Sequence, residues 1–285
     1  MFLYAARLYY TYKEKVLMKL ETFMKNEAEK PLDKTVFDGG YCSIFRTIGC
    51  VGDSLSSGEF EAVGENGEKT YHDLYEYSWG QYLARAAGCK VYNFSRGGMT
   101  AKEYCESFAE ENGFWDDDKS CQAYIIALGV NELLGCNANN PEVGSISDVD
   151  KENYKNNKNN FAGHYAEIIQ RYKIIQPDAK FFFVTMPRLD NETAEKAYLS
   201  DKHAELLTGF AHIFNNSYVI DLRRYAPVYD KEFREFFYLG GHLNPCGYIL
   251  TAQMIMSYID YIIRHNINDF KKVGFIGTPF AGVNG

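Results

Sequence analysis

Short apolar runs alternate with longer segments of mixed apolar and polar residues from position 47 onward. Each run is short enough for a buried strand, and a polar turn follows each one. Strands are predicted over residues 47–51, 90–94, 123–128, 180–185 and 218–221. Helices are predicted over residues 78–87, 100–111, 161–175, 192–213 and 245–264. Apolar strands that alternate with helices indicate an α/β fold, with a parallel sheet covered on both faces.

The remaining segments carry weaker patterns. Residues 1–30 contain no Gly and no Pro and predict a long amphipathic helix, and residues 34–46 predict an irregular lead-in. We expect residues 1–45 to pack on a main domain of residues 46–285, with a homo-oligomer contact through the helix as the alternative. Polar loops are expected over 58–73 and 132–160, and the Gly-rich tail, 269–285, is a candidate edge strand.

Composition excludes several classes of function. The 285 residues are 46% hydrophobic and 24% charged, as in ordinary globular proteins, and the net charge of −8 argues against a nucleic-acid partner. Because no run reaches about 18 apolar residues, no membrane partner is expected. The seven cysteines form no Cys-x-x-Cys or Cys/His ligand spacing, so no metal site is predicted. With no signal peptide recognised at the start, we expect a reduced cytoplasmic setting.

Three predicted strands end in turns that carry chemically useful groups. The turns are Gly52-Asp53-Ser54, Gly97-Gly98 and Gly129-Val130-Asn131. The carboxyl ends of parallel strands lie along one edge, so these groups can converge there. Acyl transfer needs a nucleophile, a base and donors for an oxyanion. Ser54 offers the hydroxyl, His242 the base, and the Ser54 and Gly98 amides with the Asn131 side chain offer donors.

In this order and spacing, the motifs resemble those of the SGNH/GDSL hydrolase family over about residues 46–264. The matching blocks are Gly52-Asp53-Ser54-Leu55, the glycine Gly98 of the segment 93–100, Gly129-x-Asn131, and His242-Leu243-Asn244-Pro245-x-Gly247-Tyr248. The resemblance implies a flavodoxin-like three-layer α/β/α sandwich, a Ser54–His242 catalytic pair, and an oxyanion hole from Ser54, Gly98 and Asn131. It also implies esterase activity on small acyl esters without a metal or an organic cofactor.

Two positions depart from the family pattern. Glu132 stands where the third block normally has Asp, and Leu239 stands three residues before the histidine, where the family places the Asp that orients it. We therefore expect a backbone carbonyl near Leu239 to accept the Nδ1 proton of His242. A carboxylate elsewhere, such as Glu235 or Asp230, is the alternative.

Each candidate also has an ordinary structural explanation. Ser54 and His242 are both well placed to cap helices, and Asn131 and Gly98 are also common turn residues. Arg96 and Glu59 are candidate substrate-binding residues, but a surface ion pair and a solvated loop carboxylate are the simpler interpretations. The pattern as a whole predicts a serine esterase that acts on a small-molecule ester, preferably an acetylated sugar. The alternative is a protein that retains the fold and binds a ligand without catalysis.

Overall fold

The computed structural model describes residues 26–135 and 142–281. Most of the helix predicted over residues 1–30 falls in residues 1–25, which lie outside the described residues. The homo-oligomer contact expected through that helix lies outside them as well. Residues 26–30 contain a turn and no helix.

Nine strands are present in the described part of the chain. In order they are β1 Thr47–Gly52, β2 Glu59–Val63, β3 Lys69–Asp73, β4 Lys90–Ser95, β5 Ala123–Ala127, β6 Lys180–Val184, β7 Ser217–Ile220, β8 Tyr238–Leu239 and β9 His242–Leu243. Five of them form one all-parallel sheet in the order β4-β1-β5-β6-β7. This order is that of flavodoxin-like folds. The predicted five-stranded parallel sheet is confirmed, and each predicted strand is correct to within about one residue.

Helices cover both faces of this sheet. The described α-helices are α1 Ser54–Ser57, α2 Trp79–Ala87, α3 over residues 101–111, α4 Phe161–Ile175, α5 Ala194–Ile213, α6 Leu222–Tyr225, α7 Lys231–Phe237, α8 Pro245–His265 and α9 Ile267–Phe270. Within α3, Tyr104–Phe108 forms a π-helical turn. The five helices predicted from sequence are all present with boundaries shifted by two residues at most.

Alternation along the strands divides the core into two layers. In β6, Phe182 and Val184 face a layer that includes α2 and α8, while Phe181 and Phe183 face a layer that includes α4 and α5. Both sides of the sheet are therefore packed with apolar side chains, and the predicted α/β/α sandwich is confirmed.

Two loop predictions are wrong. Residues 58–73 form the antiparallel hairpin β2–β3 rather than a polar loop, closed by a turn at Gly64–Gly67. The tail supplies no edge strand within the described residues, because α9 and a short 3-10 turn, Val273–Phe275, occupy it. The hairpin changes the interpretation of the site, since it begins two residues after α1.

The described part of the lead-in is hydrogen-bonded to α8. The Val36 amide donates to Ser257 Oγ at 2.9 Å, and the Tyr41 amide donates to Asp260 Oδ1 at 2.9 Å. Arg264 contacts both Asp260, at 2.7 Å, and Glu29, at 2.6 Å. These bonds explain how a segment with little regular structure is fixed on the domain.

Helix α8 is long and apolar enough to cross a membrane by length and composition. Its mean hydropathy reaches 1.2, and 72% of that segment is buried inside the structure. Burial of this extent is typical of the central helix of a packed core. The six described cysteines are all free thiols.

Candidate active site

The register of the sheet brings the predicted motifs to one edge. Gly52, the last residue of β1, lies opposite Ser95 of β4 and Ala127 of β5. The turns that follow these three strands therefore start at the same level. They carry Ser54, Gly97-Gly98 and Gly129–Asn131, so the predicted convergence has a direct basis in the strand register.

The turn after β1 presents Ser54 at the first position of α1. Asp53 caps this helix, and its carboxylate accepts the Leu55 amide at 3.1 Å. A side chain at Gly52 would overlap Ser56, so the tight turn requires glycine there. The Ser54 hydroxyl is half-buried and has no hydrogen-bond partner among the described residues, and its amide likewise has no acceptor. Both groups are available to a substrate.

Gly98 lies in the turn after β4 with a φ of 72°, a conformation that favours glycine. Its amide has no acceptor within the described part of the chain. Asn131 donates from Nδ2 to the Met99 carbonyl at 3.1 Å, which holds its side chain beside the same turn. The predicted donors therefore occupy neighbouring loops, and two of them are free backbone amides.

Glu132, which stands where the third block of the family normally has Asp, makes two hydrogen bonds to backbone amides. Its buried carboxylate accepts the amides of Ala101 at 2.9 Å and Lys102 at 3.2 Å, at the start of α3. Burial raises the pKa of Glu132 to about 6, against the opposing effect of these hydrogen bonds. The Glu132 side chain therefore connects the turn after β5 to α3, the helix that follows Gly98.

His242 lies in β9, which packs against α1 and β2. Its Nε2 is 3.0 Å from Glu59 Oε1, while its Nδ1 is buried without a hydrogen-bond partner in the described structure. No hydrogen bond joins His242 to Ser54. Burial lowers the pKa of His242 and raises the pKa of Glu59, because both charged forms lose hydration.

None of the three groups predicted to orient His242 accepts its Nδ1 proton in this structure. Leu239 pairs with His242 in the short β8–β9 ladder, but its carbonyl makes no bond to that nitrogen. Glu235 is exposed on α7, and Asp230 caps α7 by accepting the Phe233 amide at 2.8 Å. The predicted Leu239 carbonyl bond to Nδ1, with Glu235 or Asp230 as the alternative, is absent among the described residues, and the carboxylate that contacts His242 is Glu59, at Nε2.

Glu59 is not a solvated loop carboxylate. Its side chain is 13% exposed, and it faces the β8–β9 hairpin together with Glu61, which accepts the Gly241 amide at 3.0 Å. The intervening Phe60 packs against the ring of Tyr248 instead. This alternation, followed by Asn66-Gly67, is a hairpin signal that the sequence already contained.

The phenol of Tyr248 links the segment of Ser54 to the β2–β3 hairpin. Tyr248, buried in α8, donates from its hydroxyl to the Glu59 carbonyl at 2.7 Å and lies 3.4 Å from the Ser54 carbonyl. Helix α8 also begins three residues after His242. The same helix therefore contacts or adjoins the segments of Ser54, Glu59 and His242.

The side chain of Arg96 is exposed, and its role in substrate binding stays a prediction. Its guanidinium forms an exposed ion pair with Glu103 at 2.7 Å and lies over the ring of Phe108. The simpler interpretation from sequence, a surface ion pair, describes this contact.

An apolar cavity of about 70 Å³ adjoins the turn that carries Ser54. Its walls include both chain neighbours of Ser54, Asp53 and Leu55, as well as Leu243, which follows His242. Val184 and Ile255 close it from β6 and α8. Asp53 is fully buried there, and loss of hydration raises its pKa to about 7.

The described residues contain one group of three potential metal ligands. Cys105, His164 and Glu167 place one ligand atom each within 4.8 Å of the others, between α3 and α4. Arg171 lies 3.6 Å from Glu167 and supplies a positive charge beside the group. None of these residues belongs to the site around Ser54.

A family model for GDSL-like lipase/acylhydrolase matches residues 48–252. The chain belongs to this family. The match spans every element that carries the site, from β1 to the middle of α8. Family membership supports hydrolysis of an ester as the type of reaction. A comparison with curated proteins finds no match.

Solved structures share the fold at low sequence identity. A family two carbohydrate esterase from Clostridium thermocellum, in complex with cellohexaose, is 15% identical with a TM-score of 0.55, over 84% of this chain and 67% of that chain. A protein from Lactobacillus plantarum is 15% identical with a TM-score of 0.52, over 76% and 97%. A carbohydrate esterase family 2 enzyme from Corynascus thermopiles is 14% identical with a TM-score of 0.53, over 75% and 65%.

Proposed function

We propose that this protein is a serine esterase in which Ser54 attacks the ester carbonyl and His242 takes the serine proton. The observation that carries the proposal is the pairing of a free Ser54 hydroxyl with free amides of Ser54 and Gly98 at one edge of the sheet. The Asn131 side chain adds a third donor beside the same turn. Such donors stabilise the charge that develops on the carbonyl oxygen during acyl transfer.

The reaction takes two steps. Ser54 Oγ forms a bond to the acyl carbon while its proton passes to His242, and that proton then goes to the departing alcohol. Water attacks the acyl-enzyme in the second step: His242 takes the water proton and passes it to Ser54 Oγ as the bond between the acyl carbon and Oγ breaks, which releases the carboxylic acid. Burial lowers the pKa of His242, which favours the neutral imidazole that a base requires.

The acyl part of the substrate is small. At about 10–15 Å³ for each water-sized group, the 70 Å³ cavity holds about five such groups, enough for acetyl up to a short aliphatic chain. The walls are apolar, as a hydrocarbon group requires.

A carbohydrate is the alcohol part that we favour. Tyr71 of β3 is 53% exposed, and its ring lies edge-on to His242 with centroids 5.7 Å apart. An exposed aromatic ring beside the base offers a flat apolar surface on which a sugar ring can pack. The carbohydrate esterases among the similar folds support this choice of substrate class.

Labelling with a fluorophosphonate probe tests the nucleophile. The wild-type protein should label at Ser54 and hydrolyse p-nitrophenyl acetate, and Ser54→Ala should do neither. Ser120→Ala serves as a control, because Ser120 lies before the amino end of β5, whereas Ser54 follows the carboxyl end of β1. A protein that never labels and hydrolyses neither simple esters nor acetylated sugars would instead be the non-catalytic binding protein.

A further inference from the structure

Within the serine-esterase function proposed above, we propose that Glu59 is the carboxylate partner of His242. It takes the place of the aspartate that the family has three residues before the histidine and that this chain replaces with Leu239. Glu59 reaches the imidazole from a different part of the fold, the β2–β3 hairpin. It acts through His242, so it is a positioning residue.

The contact itself is close and protected. Glu59 Oε1 lies 3.0 Å from His242 Nε2, and the two side chains are only 13% and 16% exposed. An ion pair at an open surface contributes little, but a charge-assisted hydrogen bond that is shielded from water is stronger. The imidazolium formed when His242 takes the Ser54 proton would therefore lie directly against a carboxylate.

Three features hold Glu59 in this position. The Tyr248 hydroxyl donates to its backbone carbonyl at 2.7 Å, from the helix that follows His242. A Cβ at Gly97 would overlap the Glu59 carboxylate, so this glycine leaves the space that the carboxylate occupies. Two residues further along β2, Glu61 binds the Gly241 amide and fixes the hairpin next to His242.

The pairing also determines where the imidazole proton resides. An ionised carboxylate only accepts hydrogen bonds, so the neutral ring carries its proton on Nε2. The lone pair is then on Nδ1, the nitrogen that is buried without a partner among the described residues. We assign Nδ1 as the atom that takes the Ser54 proton, after which Nε2–H remains bound to Glu59.

Substitution of Glu59 tests the assignment. Glu59→Gln keeps the size and removes the charge, and we expect kcat on p-nitrophenyl acetate to fall at least about 100-fold, by analogy with loss of a triad carboxylate. KM should change little. The acid limb of the kcat profile should move to lower pH, because His242 loses the carboxylate nearest its ring, while Glu61 and Asp73, which also raise its pKa, stay in place. A purely structural residue would not shift this limb.

Matched variants separate the possible outcomes. Glu235 is an exposed carboxylate on α7, and Glu235→Gln should retain wild-type kinetics. Glu59→Asp keeps the charge on a shorter side chain and should recover part of the activity lost in Glu59→Gln, and thermal melting shows whether each variant folds. If folded Glu59→Gln has wild-type or higher kcat while Ser54→Ala is inactive, the assignment of Glu59 is wrong and the esterase function stands. If Ser54→Ala remains active, the proposed function itself fails.

Discussion

Glu132 accepts the Ala101 amide at 2.9 Å and thereby connects the end of β5 to the helix that begins behind Gly98. Both residues are buried, so the hydrogen bond is shielded from water. The carboxylate also lies at the N-terminus of α3, where negative charge is favourable. Glu132, which stands where the third block of the family normally has Asp, therefore connects the turns that carry Gly98 and Asn131, the two proposed oxyanion donors.

Glu132→Ala should lower both stability and turnover. It leaves the Ala101 and Lys102 amides without their carboxylate, which should cost about 1–3 kcal/mol for each group that stays buried and unpaired. We expect kcat to fall about tenfold or more as the Gly98 turn loosens, measured with p-nitrophenyl acetate alongside urea unfolding.

Thr100→Ala provides the control for Glu132→Ala. Thr100 caps the same helix by accepting the Glu103 amide, and its loss should cost about 1 kcal/mol of stability. If Thr100→Ala lowers kcat as strongly as Glu132→Ala does, the loss reflects fraying of α3 in general. The specific connection through Glu132 would then be contradicted.

The raised pKa of Asp53 predicts that the protein becomes less stable as the pH rises. Burial raises its pKa from 3.8 to about 7, so between these values the folded state holds a proton that the unfolded state has lost. Stability from this group is therefore greatest below about pH 4 and falls until about pH 7. One pKa unit corresponds to about 1.4 kcal/mol, which sets an upper limit of about 4 kcal/mol for the loss.

Asp53→Asn should remove most of this decline. Asparagine is an equally good helix cap, so the bond to the Leu55 amide can remain. Urea unfolding from pH 4 to pH 8 should show a flatter profile for Asp53→Asn, and the variant should be more stable than wild type at pH 8. Asp118→Asn, at an exposed position, should follow the wild-type profile. An unchanged slope in Asp53→Asn would show that other groups cause the pH dependence.

The sheet could be predicted from sequence because its signal is local. Runs such as Phe181-Phe182-Phe183-Val184 are apolar throughout, and only a strand buried on both faces accommodates such a run in an α/β fold. The flavodoxin-like strand order was implied by the resemblance to the SGNH/GDSL family, and the turns after β1, β4 and β5 fall on one edge. Ser54, Gly98 and Asn131 were identifiable because their motifs lie directly at these strand ends.

The partner of His242 was not predictable in the same way. Glu59 and His242 are 183 positions apart, and their contact depends on how the β2–β3 hairpin folds over the site. The segment 58–73 has high polarity, which favours a loop when only composition is considered. The alternation of Glu59, Phe60 and Glu61 and the Asn66-Gly67 turn indicate a hairpin, but neither pattern shows which element the hairpin contacts.

Val184 offers a test of the acyl cavity. It lines the cavity from the end of β6, and Val184→Phe should fill much of the 70 Å³. We expect hydrolysis of p-nitrophenyl acetate to stay within a few-fold of wild type, while hydrolysis of the butyrate and hexanoate esters falls about tenfold or more. Val184→Ala, which enlarges the cavity, should shift the preference toward longer chains. Equal effects of Val184→Phe on all chain lengths would show that the acyl group binds elsewhere.

Arg264 should account for much of the attachment of the lead-in. It is buried between Asp260, at 2.7 Å, and Glu29, at 2.6 Å. Arg264→Met keeps a similar length of apolar chain but leaves the buried Asp260 carboxylate without its cation, and breaking such a pair costs about 3–5 kcal/mol. Urea unfolding should show a loss of this size, whereas Arg224→Met, at an exposed position, should cost less than about 0.5 kcal/mol. Because the pair lies on the α8 segment beyond the site, folded Arg264→Met protein should keep its kcat. A large loss of kcat with little change in stability would contradict a structural role for Arg264.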